Sequence, residues 1–213
     1  MKTTPLLLSC LLLLAGALPS SAEDASAWSV LDEARKSLAA SGPERAAFVQ
    51  TYVPAGFSTG EEESGSLAFR LPDCLRWDYA EPYPKSFLLC GERVYSWNPE
   101  DRRGQAADVD RASQPGLDLL LLPVEDLTER YEAAAEPEEG GRVAIRLQPR
   151  AEMAGRTELT DAVLVVDTRT DRLVEVSYQD QEGNRTTFRI SGYEVLAERG
   201  VFEPPEGISW EEG

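Results

Sequence analysis

Cys74 and Cys90 are placed symmetrically about Pro82, and they are the only cysteines of the 213-residue chain beyond its first apolar segment. Thiols at such spacing can be oxidised to a disulfide, and an even pair in an exported protein reads that way. Two buried free thiols are the alternative. Other chemistry is scarce. The chain has no histidine, which removes Ser-His-Asp and Cys-His arrangements, imidazole acid–base work and histidine-based metal sites. No glycine-rich phosphate loop is present, because "GEEESG" is acidic and repels phosphate. Asp and Glu number 38, so a carboxylate pair can be drawn almost anywhere and points nowhere in particular. The expectation is a protein that is not an enzyme, with no metal and no cofactor. A hydrolase using a carboxylate pair is the competing class.

The thiols need a scaffold that makes them face each other. If "CLRWDY" and "KSFLLC" form a hairpin around "AEPYP", Cys74 lies opposite Cys90. Leu75, Trp77, Phe87 and Leu89 then share the other face. A slip of one residue would exchange the two faces.

Period-two alternation runs through most of the chain. "AAFVQTYV" (46–53) and "GSLAFRLP" (65–72) read as the first two strands, with the acidic "STGEEESG" between them. Val143, Ile145 and Leu147 face away from Arg142, Arg146 and Gln148. Val174, Val176 and Tyr178 form one face, as do Thr186, Phe188 and Ile190. "QEGNR" is a hairpin signal. The pattern predicts a mainly β (α+β) fold: an incomplete, strongly curved antiparallel barrel of about ten or eleven strands with covering helices. A two-sheet sandwich is the structural alternative.

Two segments break the alternation. Trp28, Leu31, Ala34 and Leu38 recur at helical spacing, capped by Ser26 or Ser29 and stopped by Gly42-Pro43. In "QPGLDLLLLPVEDL", Leu117, Leu119, Leu120, Leu121 and Leu122 predict a short helical segment that must touch apolar groups on several sides. A plug in the core is the plain reading of that segment, and a lid over a cavity is the functional one.

Residues 1–22 read as a signal peptide: Lys2, the apolar "LLLSCLLLLAGAL", and small residues at Ser20 and Ala22. A lipoprotein-type site at Cys10 is the competing reading. Residues 23–213, roughly 190 in all, suffice for one domain. The net charge of −17 argues against nucleic acid and anionic membrane surfaces as partners.

"FRLPDCLRWDYAEPYPKSFLLCGERVYSWNPEDRRGQ" resembles the central segment of the periplasmic outer-membrane lipoprotein carriers, the LolA-like proteins. The leucine segment, "DQEGNRTTFRI" and "FEPPEGI" follow in the family's order, and "FVQTY" fits its opening. The resemblance implies a monomeric periplasmic carrier whose apolar cavity takes the acyl chains of lipoproteins. It implies three partners: the acylated lipoproteins or lipid, an inner-membrane lipoprotein-releasing transporter and an outer-membrane receptor. A sensor or interaction module of the same fold, without transport, is the alternative. On this basis Leu67, Phe69, Leu75, Trp77, Phe87 and Leu89 line a cavity expected to stand open, and Leu117 and Leu119 to Leu122 cover it. Replacing Trp77 by Glu is expected to abolish lipid binding with the fold retained. In the family an arginine directly before the motif's proline ties the lid. Leu71 stands there in this chain, so either the latch is different, with Arg70 or Arg76 in that role, or the protein does not open and close as the family does.

Overall fold

The computed structural model describes residues 21–109, 119, 122–197 and 200–213. Elements are numbered in chain order among these. The expected signal peptide, save Ser21 and Ala22, lies outside them, as do the expected lid residues Leu117, Leu120 and Leu121.

The first described element is α1 (Ser21–Ala40). Ser26 and Ser29 lie inside it rather than capping it. Its end is set by Gly42, at φ 81°, a left-handed turn that costs glycine little. Pro43 then forces extended backbone.

Eleven strands follow: β1 (Glu44–Val53), β2 (Glu61–Arg70), β3 (Cys74–Glu81), β4 (Lys85–Cys90), β5 (Arg93–Trp97), β6 (Arg103–Asp108), β7 (Tyr131–Glu138), β8 (Arg142–Pro149), β9 (Leu159–Asp167), β10 (Arg172–Asp180) and β11 (Arg185–Val195). A short β12 (Ser209–Glu212) closes the chain, and α2 (Val124–Arg130) precedes β7. The twelve strands form one open, curved sheet in the order β12-β6-β5-β4-β3-β2-β1-β11-β10-β9-β8-β7. Two meanders, β1 to β6 and β7 to β11, are joined by the antiparallel pairing of β1 with β11.

Three details depart from the alternation pattern. Glu61 to Ser64 belong to β2, because the β1–β2 hairpin extends until Tyr52 faces Glu61. Exposed strand positions accept charge. A register shift between Leu173 and Glu175 turns Leu173 inward with Val176 and Tyr178, so Val174 does not share their face. Finally, β12 runs parallel to β6. Short and strongly acidic, it was not distinguishable as a strand by its own alternation.

The hairpin around Pro82 takes the expected register. Cys74 faces Cys90, Leu75 faces Leu89 and Trp77 faces Phe87. The thiols form a disulfide, Cys74–Cys90. The hairpin's two faces enter different apolar clusters. Leu75, Trp77 and Leu89 join the main core on the concave side. Cys74 and Leu88 join a smaller outer cluster with Trp97, Val201 and Phe202.

Candidate functional site

The concave face is built from alternate residues of almost every strand. Leu67 and Phe69 come from β2, Leu75 and Trp77 from β3, and Leu89 from β4. With Phe48, Ile145, Leu147, Leu164, Val176 and Ile190 they make one buried apolar surface, and Phe87 packs against it partly exposed. The six residues assigned to a cavity wall therefore stand together on one side of the sheet. Gly65 shapes part of this wall. It sits between Phe48 on β1 and Tyr79 on β3. The rings of those two residues meet edge-on at 5.0 Å, with planes at 81°. A Cβ on Gly65 would lie 2.0 Å from the Asp78 carbonyl oxygen, so only glycine fits without moving backbone.

Polar groups on this face are few and mostly paired. The Tyr79 hydroxyl donates to Gln50 Oε1 at 2.6 Å, and the Tyr193 hydroxyl donates to the Leu173 carbonyl at 2.7 Å. Burial pushes both phenols upward from their ordinary range; Glu63 reinforces this at Tyr79, while Arg172 opposes it at Tyr193. Both therefore remain neutral donors at physiological pH.

The interior was expected to stand open beneath covering helices. Among the described residues, α1 lies across it. Ala27, Trp28, Leu31 and Ala34 enter the main core together with Leu119 and Leu127. Among the described residues, one space under α1 measures about 30 Å³, lined by Leu31, Ala34, Arg35, Leu119, Leu164 and Tyr193 among others. That space holds about one water molecule. The helix's own apolar stripe supplies apolar material that the sheet alone lacks. Trp77 is 8% exposed in this packing. A carboxylate placed there would be buried without a partner, so Trp77→Glu would damage the fold as well as the surface. Two larger clefts among the described residues are open and of mixed polar and apolar lining. One, of about 640 Å³, is bordered by Arg142, Arg172, Glu175 and Arg189. The other, of about 480 Å³, is bordered by Lys85, Trp97, Arg103 and Gln105. Neither offers a continuous apolar lining.

Arg35 ties the cover together. Its guanidinium donates from α1 to the backbone carbonyl oxygens of Leu119 and Leu122. Leu119 is fully buried and Leu122 packs against the core, so the described part of the leucine segment rests on α1 and the sheet. Arg70 and Arg76 lie on the other side of the sheet. Arg70 contacts Cys74 Sγ at 2.8 Å and stacks over Phe202 at 4.8 Å. Arg76 pairs with Asp78 at 2.8 Å and donates to the Val201 carbonyl at 3.0 Å. They pack on the outer cluster, and among the described residues Arg35 reaches the leucine segment. Its signal in the sequence was faint: a cation at the border of an apolar helical stripe, four positions after Leu31.

A second anchor fixes the far end of α1. Arg172 makes two hydrogen bonds to Glu44, at 2.7 and 2.9 Å, and donates to the hydroxyls of Ser37 and Ser41 at 2.9 and 2.8 Å. The pair is nearly buried, with side-chain exposures of 14% and 5%. Thus α1 is pinned at its C-terminal end by a buried ion pair and along its length by Arg35. No spacing in the sequence announces either contact.

Residues 44–200 match the family model described as outer membrane lipoprotein carrier protein LolA. A relative from Alkalilimnicola ehrlichii, an outer-membrane lipoprotein carrier protein, is 31% identical over 69% of this chain and 67% of its own length. One of the same name from Bordetella pertussis is 24% identical, covering 76% of each chain. Among solved structures, an uncharacterised conserved protein from Thermus thermophilus shares 13% identity with a TM-score of 0.56, covering 88% of this chain and 99% of that one. The Pseudomonas aeruginosa MucA/MucB complex matches with 12% identity, a TM-score of 0.52 and coverage of 86% and 62%. At such identities the two structures show the fold alone.

Proposed function

The chain belongs to the outer membrane lipoprotein carrier (LolA) family, and on that premise we propose that it is a periplasmic carrier for acylated lipoproteins. It takes their acyl chains against the concave face and shuttles them from the inner to the outer membrane. Removal of residues 1–22 after export leaves a single domain of residues 23–213. An inner-membrane lipoprotein-releasing transporter loads it, and an outer-membrane receptor unloads it. It binds and does not transform its cargo.

The observation that carries this reading is the apolar face under α1, closed by a helix and a leucine segment that Arg35 ties together. Each buried methylene of an acyl chain is worth roughly 0.8 kcal/mol. A lipoprotein therefore needs a dry surface to cross water, and Leu67, Phe69, Leu75, Trp77, Phe87 and Leu89 provide one once α1 moves aside. Leu119 and Leu122 ride with it as the lid, continued by Leu117, Leu120 and Leu121. The closed form protects the apolar face between loads. Dispersed negative charge, net −17, keeps the carrier off anionic lipid surfaces.

Native mass spectrometry of the protein recovered from a periplasmic extract tests this. Co-purifying acylated protein supports the reading, and transfer of that cargo to a membrane-bound receptor in vitro supports transport. Failure to bind any acylated species would overturn it. A second reading, a sensor or interaction module without transport, is favoured by the fold likeness to MucB, which was solved in complex with MucA. Stable acyl binding without transfer would select it.

A further inference from the structure

Trp28 lies on the inner stripe of α1, and its side chain is the exception to the pairing just described. The residue is 8% exposed, and its indole Nε1–H has no hydrogen-bond partner. An indole nitrogen is a donor only. Leaving it dry and unpaired costs free energy, which makes such a group rare and in need of a reason. Leu31, Ala34 and Leu38 follow at three- and four-residue spacings on the same stripe. All three border the small space between α1 and the sheet. The unpaired donor thus belongs to the helix face that must leave the sheet, or turn over, for a ligand to enter.

The surroundings restrict what can satisfy it. Trp28 packs in a cluster of Leu, Ile, Val and aromatic side chains, so its partner must arrive on a molecule that is otherwise apolar. A bare hydrocarbon tail carries no acceptor. A free carboxylate would bring an uncompensated charge into the core. An acyl ester or amide carries one neutral carbonyl oxygen at the end of each chain, which satisfies both conditions. Resting on the acyl-binding reading above, we propose that Trp28 is a ligand-contacting residue. Its indole N–H donates a hydrogen bond to the acyl carbonyl of the bound lipid. The interior thereby selects acyl-linked chains over alkyl-linked ones.

The test compares a diacylglycerol with the dialkyl ether of the same chain length, bound by the full mature protein and by Trp28→Phe. A fatty amide serves as a third arm that separates amide from ester carbonyls. The wild-type protein is expected to prefer either carbonyl ligand over the ether by about fivefold to tenfold. Trp28→Phe should erase that ratio, so that the variant binds the ester, the amide and the ether with similar affinity. The lipid-free stability of the variant should be unchanged or higher, because the change removes an unsatisfied donor. Equal wild-type affinity for ester and ether overturns the proposal and leaves the acyl-binding reading standing. A ratio that survives in Trp28→Phe does the same. A water held beside Trp28 would produce equal affinities. Failure of the wild-type protein to bind any of the three overturns both readings. Should Trp28→Phe not fold, the infrared carbonyl band of the ester bound to wild-type protein decides. A shift to lower frequency than in dry hydrocarbon is expected, and an unshifted band overturns the proposal.

Discussion

Arg35 reaches from α1 to the backbone carbonyl of Leu122, 87 positions along the chain. A charged donor on a carbonyl oxygen, partly out of water, is a stronger tie than a contact between neutral groups. Backbone carbonyls accept whatever side chain their residue carries, so the tie constrains the position of the leucine segment without constraining its sequence.

Arg35→Met keeps the apolar stem and removes the donors. Stability is expected to fall by about 2 kcal/mol, measured by urea unfolding. Amide hydrogens of α1 should exchange faster, and an apolar dye should bind more strongly than it does to the wild-type protein. Unchanged exchange would show that the helix is held by packing alone.

Glu44 and Arg172 pin the other end of α1. Glu44→Ala leaves a guanidinium nearly buried without its carboxylate, and the expected loss is about 3 to 5 kcal/mol. The double change Glu44→Leu with Arg172→Met should recover most of it, since it is the unpaired charge that is costly. Calorimetric unfolding of the three proteins checks both statements.

Gly65→Ala pushes a methyl group into the Asp78 carbonyl. The β2–β3 pairing must shift, and the Phe48–Tyr79 contact above it must loosen. A loss of about 3 kcal/mol is expected, with a weakened near-ultraviolet circular dichroism signal from the displaced rings. A fully wild-type spectrum and stability would contradict this packing.

Asp167 ends β9 and is held by Arg169. The guanidinium bonds to the carboxylate at 2.6 and 3.0 Å, and the Arg169 backbone N–H adds a third bond at 3.0 Å. These donors, side chain first, lower its pKa to about 2 from an ordinary value of 3.8. A folded-state pKa below the unfolded one stabilises the fold above the unfolded value, and that gain is lost as pH falls toward the folded value. The difference in melting temperature between wild type and Asp167→Asn should therefore be constant above about pH 5 and shrink as the solution is acidified toward pH 2. A constant gap through that window would refute the assignment.

Much of the sheet was legible because strand alternation is a local property. Each side chain's face follows from its neighbours' positions, so Leu75, Trp77 and Leu89 could be placed together once the hairpin centre at Pro82 was recognised. The same centre puts Cys74 opposite Cys90. The departures have equally local causes that alternation does not carry, such as the bulge before Glu175 and the parallel seating of β12 on β6.

What covers the concave face was a different matter. The sequence by itself established a helix with an apolar stripe, a leucine-rich segment and a curved sheet with one apolar side. Whether these leave a hollow depends on how much volume the curvature encloses and how deeply Trp28, Leu31 and Ala34 enter it. Close packing settles that question over the whole molecule at once. The same holds for the polar ties. Arg35 with Leu119 and Leu122, and Arg172 with Glu44, join residues far apart in the chain, and no spacing rule links a guanidinium to a distant carbonyl or carboxylate. Chain folding brings them within reach, and burial then makes each bond count.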